Sequence, residues 1–257
     1  KEGGGVNLWA YDDGFNRLWH HEQKGAWYGH HWAVRFCDVD GDGRDELLGG
    51  GKLYDARGNV LWVHDRDQEM LGIHGARHYD AVAVGNLAGD ADLDPVAFLM
   101  GGSAGVYVVD ALTGRTRMRH RVGHAQGCVT GKVRDDIPGD QVLVATRWGN
   151  MGILTLFSGS GERLWTIQPD YVGQGATPVS WGDAGPQLIW TNTSAHAQAF
   201  YDGYGVRVKE LTPLRDLWGE RMRRDVGCHT LRMGRDGKTY LGMTVDEKTH
   251  VFGPEGI

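Results

Sequence analysis

The sequence predicts an all-β chain: a β-propeller of four-stranded blades, about five of them, forming a single domain over 1–257. Three observations predict this. A hairpin-like segment recurs along the chain, a second strand recurs upstream of most of these hairpins at near-constant spacing, and a third apolar strand lies between the two. Self-similarity at a period of 20–50 residues is the signature of a repeat architecture, and four strands per repeat is the signature of a blade.

The hairpins read VNLWAYDDGFNRLW, GKLYDARGNVLW, GVYVVDALTGRTRM, LTLFSGSGERLW, AQAFYDGYGVRV and THVFGPEG. Their turn glycines, Gly14, Gly58, Gly114, Gly161, Gly205 and Gly256, are 44, 56, 47, 44 and 51 residues apart. Each has aromatic or β-branched arms around a residue that tolerates positive φ. The upstream strands are GHHWAVRFCD, ARHYDAVAVGN, HAQGCVTGKV, VGQGATPVSW and VGCHTLRMG. Aligned, they place His30, His78, Gln126, Gln174 and Cys228 at one register, spaced 48, 48, 48 and 54. The third strands are DELLGG, DPVAFLM, DQVLVAT, PQLIWT and KTYLGM. A sandwich does not repeat this regularly.

Only 211–224 reads as a short helix, with Leu214, Leu217 and Trp218 on one side and Arg221, Arg223 and Arg224 as a solvated basic end. The chain opens on a hairpin with no inner strands before it and stops within another. The expectation is a piece of a six- to eight-bladed ring, with a closed five-bladed ring as the alternative. The first residues lack both an initiator methionine and the layout of a signal peptide, as expected of a mature chain or a fragment.

Composition removes several classes of function. Glycine is 41 of 257 residues, without the G-X-Y period of collagen, and 40% hydrophobic residues argue against disorder. The formal charge is −6 with no Lys/Arg cluster, so neither nucleic acid nor an anionic membrane is an expected partner. No apolar run approaches the roughly 18 residues of a membrane helix. Cys37, Cys128 and Cys228 have no CxxC spacing and suggest neither a zinc knuckle nor a disulfide framework. The expected state is a monomer.

The sharpest motif is Asp38-Val-Asp40-Gly-Asp42-Gly-Arg44-Asp45-Glu46. Carboxylates at positions 1, 3, 5 and 9 converge on one hard cation, position 7 adds the Arg44 carbonyl, and Gly43 permits the sharp turn. The expected ion is Ca2+, in a structural role that extends to catalysis if substrate reaches it. Position 12 is Gly49 rather than the bidentate glutamate of an EF-hand. The second repeat keeps part of the motif in Asn86, Asp90, Asp92 and Asp94. The third places Arg134 and Ile137 there and is expected to hold no metal.

The run FCDVDGDGRDELLGGGKLYDARGNVLW, followed by HGARHYDAVAVGNL, resembles the β-propeller polysaccharide lyases, chiefly rhamnogalacturonan lyases and more distantly ulvan lyases. The blade pattern over most of 29–205 shares the resemblance. It implies a secreted or extracytoplasmic enzyme that cleaves an acidic polysaccharide by β-elimination, leaving an unsaturated uronate. Calcium loops with a tyrosine-aspartate hairpin also resemble non-catalytic FG-GAP-type propellers that bind glycans or proteins, which is the alternative reading.

β-Elimination needs a base for the C5 proton, a donor for the leaving O4 and a partner for the substrate carboxylate. In a propeller the starts of the innermost strands gather at the central mouth, where this register supplies imidazoles and amides. His78 is the expected base, and Tyr79 or His31 the expected donor. Arg77 or Arg147 is the expected carboxylate partner. His30, His124, Gln126, Trp148, Gln174 and His229 are expected to bind substrate, Trp148 by stacking on a pyranose face. For each histidine the plainer role is a hydrogen-bonded residue that orders a blade junction. Cys228 with His229 is a weaker candidate zinc pair. A hydrolase usually needs paired carboxylates, and only Asp80 is acidic near this register. Trp19, Trp62 and Trp165, repeating in the hairpin arms, read as blade packing. Asp55 and Asp202, after Tyr54 and Tyr201, read as caps of their own turns.

Overall fold

The computed structural model describes residues 6–23, 34–64, 78–90, 95–148, 152–169, 176–181, 185–191, 199–210, 228–232, 239–245 and 248–254. Among them every helix or strand is a strand. The expected helix at 211–224 lies outside the described residues.

The first sheet is a hairpin of β1 (Val6–Tyr11) and β2 (Arg17–Gln23). Blade one comprises β3 (Val34–Cys37), β4 (Glu46–Gly49), β5 (Lys52–Tyr54) and β6 (Val60–Val63). Blade two is β7 (Ala81–Gly85), β8 (Val96–Met100), β9 (Val106–Asp110) and β10 (Thr116–His120). Blade three is β11 (Ala125–Gly131), β12 (Gln141–Thr146), β13 (Leu154–Phe157) and β14 (Arg163–Ile167). Blade four is β15 (Ala176–Val179), β16 (Leu188–Thr191), β17 (Ala199–Tyr201) and β18 (Arg207–Glu210). A three-stranded sheet of β19 (Cys228–Arg232), β20 (Thr239–Val245) and β21 (Lys248–Phe252) comes last. In every sheet the strands keep chain order, the up-and-down meander of a propeller blade. The fold is therefore an all-β propeller of about five blades.

Burial tracks strand position. The second strands β4, β8 and β12 are buried at every residue, because both their faces are covered, and they read as continuous apolar runs. The fourth strands β6 and β10 are largely exposed, and β14 is half-buried. Five hairpins share one irregularity, a register shift beside the turn, at Ala10/Tyr11, Leu53/Tyr54, Thr116/Met118, Leu156/Phe157 and Phe200/Tyr201. The turn aspartates cap their own hairpin bends: Asp55 Oδ1 accepts from the Arg57 and Asn59 N–H groups, and Asp202 Oδ1 from those of Tyr204 and Val206.

The chain divides into two compact units, one of Lys1–Cys128 with Gly159–Gly161 and one of Val129–Ser158 with Glu162–Ile257. In the first, Leu48, Leu53, Trp62, Val82, Leu99, Tyr107 and Val109 form one core, and β3 lies beside β7. In the second, Val133, Leu143, Leu156, Ile189 and Tyr201 form another.

Successive hairpins of the first unit are joined by one repeated contact. The Trp19 indole N–H donates to the Ala56 carbonyl at 3.3 Å, and that of Trp62 to Ala111 at 2.8 Å. In blade two His120 takes this role, its Nε2 lying 2.9 Å from the Gly161 carbonyl. The second unit repeats it from Trp165 to Gly203 at 2.8 Å. The turn glycine beneath has no room for a side chain: at Gly114 (φ 71°) a Cβ would sit 2.6 Å from the Trp62 ring. This is the packing role the repeated tryptophans predict.

Candidate functional site

Three side chains of the first unit come together around one buried carboxylate. His78 and Asp80 precede β7 two residues apart, so both project to the same side of the extended chain. His124 precedes β11. The end of β8 and its turn position all three: the Asp80 N–H donates to the Met100 carbonyl at 2.8 Å, and the Ala125 N–H donates to that of Gly102 at 3.0 Å. Ser103, in the same turn, puts its Oγ 3.1 Å from His124 Nδ1.

His78 Nε2 lies 3.0 Å from Asp80 Oδ1, and His124 Nε2 lies 3.1 Å from Oδ2. The second contact is an aligned hydrogen bond. The first is an ion-pair approach without hydrogen-bond alignment, which leaves Oδ1 buried and imperfectly satisfied. The imidazole rings are 5.9 Å apart. The Asp80 side chain is fully buried, and that of His78 is 16% exposed. Burial pushes the Asp80 carboxyl up, but the His124 hydrogen bond and the close approach of His78 outweigh it and hold the group below the ordinary aspartate value. Asp80 is thus an anion that orients two imidazoles, one of which reaches solvent.

Tyr79 requires a correction. It alternates to the opposite side from His78 and Asp80 and is 4% exposed, with its hydroxyl 2.5 Å from His64 Nδ1. His64 Nε2 is in turn 2.9 Å from the Thr116 hydroxyl. Tyr79 belongs to the blade core and does not share the His78 site, because consecutive residues of an extended chain face opposite ways. Gln126, on β11, carries a buried Oε1 with no hydrogen-bond partner among the described residues. His30, His31, Arg77 and Gln174 lie outside the described residues, and of His229 only the backbone, in β19, is described.

The Asp38 loop of blade one is built around its first carboxylate. Asp38 Oδ1 accepts from the Gly41 and Asp42 N–H groups and Oδ2 from that of Gly43. Asp42 Oδ1 accepts from the Arg44 N–H at 2.8 Å. Oxygens of Asp38, Asp40 and Asp42 lie within 4.8 Å of one another. Glu46 is 4% exposed, and its Oε2 takes the Val39 N–H at 2.9 Å. Its carboxyl is pushed up by burial and then by the like charges of Asp40, Asp42 and Asp38. Clustered oxygens without a protein cation among them fit a hard divalent ion.

The equivalent loop of blade three reverses this polarity. Gln141 stands where Glu46 does, its Oε1 accepting from the Val133 and Arg134 N–H groups at 3.0 and 2.8 Å. Lys132 stands at the Asp38 position, and its ammonium donates to the Ile137 and Gly139 carbonyls at 2.5 and 2.9 Å. A covalently attached cation organises this loop. Of the blade-two loop, Asp92 and Asp94 lie outside the described residues.

In the second unit the Arg147 guanidinium stacks 4.5 Å from the Trp148 ring. Trp148 is 61% exposed and holds φ at 54°, a left-handed conformation that is rare for a bulky residue and common at ligand clamps.

Among the described residues, fold and sites together define a β-propeller with an acidic loop and a His-Asp-His centre. No protein-family model matches the sequence, and no curated protein matches it. Among solved structures, the rhamnogalacturonan lyase YesW aligns at 17% identity and TM-score 0.54, over 97% of this chain and 41% of the lyase. The rhamnogalacturonan lyase PL11 of Bacillus licheniformis aligns at 15% identity and TM-score 0.56, over 98% of this chain and 42% of that one. The Vibrio cholerae biofilm matrix protein Bap1 aligns at 9% identity and TM-score 0.57, over 92% and 62%. The chain spans less than half the length of the lyases it resembles, and at these identities the likeness is one of fold.

Proposed function

We propose that the protein is a polysaccharide lyase that cleaves a uronic-acid-containing glycan, rhamnogalacturonan or a similar chain, by β-elimination, and that it works in a secreted or extracytoplasmic setting. The observation that carries this reading is the Asp80 carboxylate between His78 and His124. Asp80, 3.0 Å from His78 Nε2, holds the ring in place, and the imidazole takes the C5 proton. The lyase-like fold of the solved neighbours supports the reaction class. The leaving-oxygen donor falls to His31, since the Tyr79 hydroxyl is engaged in the core. Arg77 is the proposed partner of the substrate carboxylate, and His30 and Gln126 are the proposed contacts to the sugar.

The Asp38 loop is proposed to hold Ca2+ through Asp38, Asp40, Asp42, Glu46 and the Arg44 carbonyl, as a structural ion that stiffens the entry to β4. Bound there, the ion supplies charge neutralisation.

A second reading, a non-catalytic FG-GAP-type propeller that binds glycans or proteins, is favoured by one observation: the exposed, conformationally constrained Trp148 with Arg147 stacked on it suits a sugar face and a uronate. Incubation with rhamnogalacturonan, ulvan and related acidic glycans, while following the absorbance of the unsaturated uronate, separates the two. Product formation is expected. Binding without product overturns the lyase.

A further inference from the structure

One nitrogen from each imidazole and one oxygen of the carboxylate between them gather in one place. Both Nε2 atoms approach the same carboxylate, at different oxygens, 3.0 and 3.1 Å away. One ligand atom from each of the three residues lies within 4.8 Å of the others, the spread that a shared ion needs. The site is enclosed, with Asp80 fully buried, yet His78 keeps 16% of its side chain open to solvent, which provides an entry path. The outer partner is also present. Metal-bound imidazoles characteristically anchor their second nitrogen, and Ser103 Oγ lies 3.1 Å from Nδ1 of His124. Without an ion, His124 carries its proton on Nε2 for Asp80 and accepts from Ser103. With an ion, the proton moves to Nδ1 and is donated to the same hydroxyl.

Two imidazoles and one carboxylate suit a borderline-soft ion, whereas Ca2+ takes six to eight oxygens. We propose that His78, Asp80 and His124 form a binding site for a first-row divalent transition ion of the zinc type, distinct from the Asp38 loop, and that its occupancy removes His78 from base duty. Three ligands leave a fourth position open to water or to a substrate oxygen. The inhibitory half rests on the lyase reading; the binding half does not.

The test titrates the chain with Zn2+ by calorimetry and with Co2+ by visible absorption, in excess Ca2+ so that the acidic loop is already filled. The expected result is one tight site with a tetrahedral Co2+ spectrum, lost in His78→Ala and His124→Ala and kept in His20→Ala. Affinity should fall about tenfold in Ser103→Ala. Binding that is unchanged in both site variants, or no Zn2+ binding by the wild type, overturns the site. A measurement without variants guards against misfolding: 1H–15N imidazole spectra of the wild type should show two histidines whose Nε2 resonances move with Zn2+, and no movement overturns the proposal. Turnover is assayed separately after treatment with a chelator selective for transition ions over calcium. Zn2+ bound without any turnover defeats the lyase reading and leaves the site standing; turnover without Zn2+ binding does the reverse.

Discussion

The buried indole of Trp62 donates its N–H to the carbonyl of Ala111 at 2.8 Å, across 49 residues of sequence. The contact joins the fourth strand of one blade to the hairpin turn of the next, over a glycine whose Cβ would collide with the ring. Trp19 with Ala56, and Trp165 with Gly203, repeat it. One polar bond thus fixes the position of each large apolar side chain against its neighbouring turn.

Trp62→Phe should therefore cost more than the lost area suggests, since it also leaves the Ala111 carbonyl without its donor. About 2 kcal/mol is expected, and Trp62→Ala should cost about 3–5 kcal/mol. Thermal melts of the two variants, with Leu61→Ala on the exposed side of the same strand as a near-neutral control, check this.

His78→Ala should lower the rate of unsaturated-uronate formation by about 10²- to 10⁴-fold when assayed well below the melting temperature of the variant. Asp80→Asn should reduce the rate while shifting its pH profile, as the imidazole loses the anion that orients it. An unaltered rate in His78→Ala removes the residue from the base role.

Calcium should raise the melting temperature through the Asp38 loop. At a hundred times its dissociation constant the ion contributes about 2.7 kcal/mol. Differential scanning with and without a calcium chelator measures the effect, and Asp40→Asn should abolish most of it. A melting temperature indifferent to the chelator would contradict the assignment.

Blade three should show no such dependence at its own loop, because Lys132 already supplies the cation. Lys132→Met strands the Ile137 and Gly139 carbonyls and should cost about 1–3 kcal/mol whatever the calcium concentration. The measurement is the chelator difference in the variant, which should match that of the wild type.

Asp110 provides a pH test of the hairpin caps. Burial pushes its carboxyl up, but the Arg117 and Thr113 hydrogen bonds outweigh that and hold it below the ordinary 3.8. A depressed carboxyl stabilises the fold above the unfolded value and loses that contribution as pH falls through the folded one. The stability difference between wild type and Asp110→Asn should be constant at neutral pH and shrink as the pH is lowered from about 4. A difference that grows on acidification would reverse the sign.

Much of the fold is legible in the sequence because blade construction is local. Strand alternation, turn glycines and capping aspartates act within a few residues, so VLVAT and VAFLM announce doubly covered strands before any partner is known. The Trp19, Trp62 and Trp165 series is readable for the same reason, as is the acidic loop. The centre is only half legible. The aligned register nominates His78, with His124 two residues before its Gln126 position, but it also puts Tyr79 beside His78, although strand alternation sends it to His64. Asp80 reads merely as an acid nearby, although its i+2 spacing from His78 is the available signal. Ser103 carries no signal, whereas His64 shares its place two residues beyond the hairpin-arm register of Trp19, Trp62 and Met118 with His21 and His120.

The amino-acid order alone determined that this chain makes meandering four-stranded sheets, where each turns, and which loop gathers carboxylates. These outcomes depend on hydrogen bonds and side-chain alternation between near neighbours. Tertiary structure decided that His124 meets Asp80 across 44 residues, and that a lysine organises one loop where aspartates organise another. The physical reason is that the β8 turn positions the segments before β7 and β11 through backbone hydrogen bonds to the Met100 and Gly102 carbonyls, and main-chain carbonyls leave no mark on the residue types that use them.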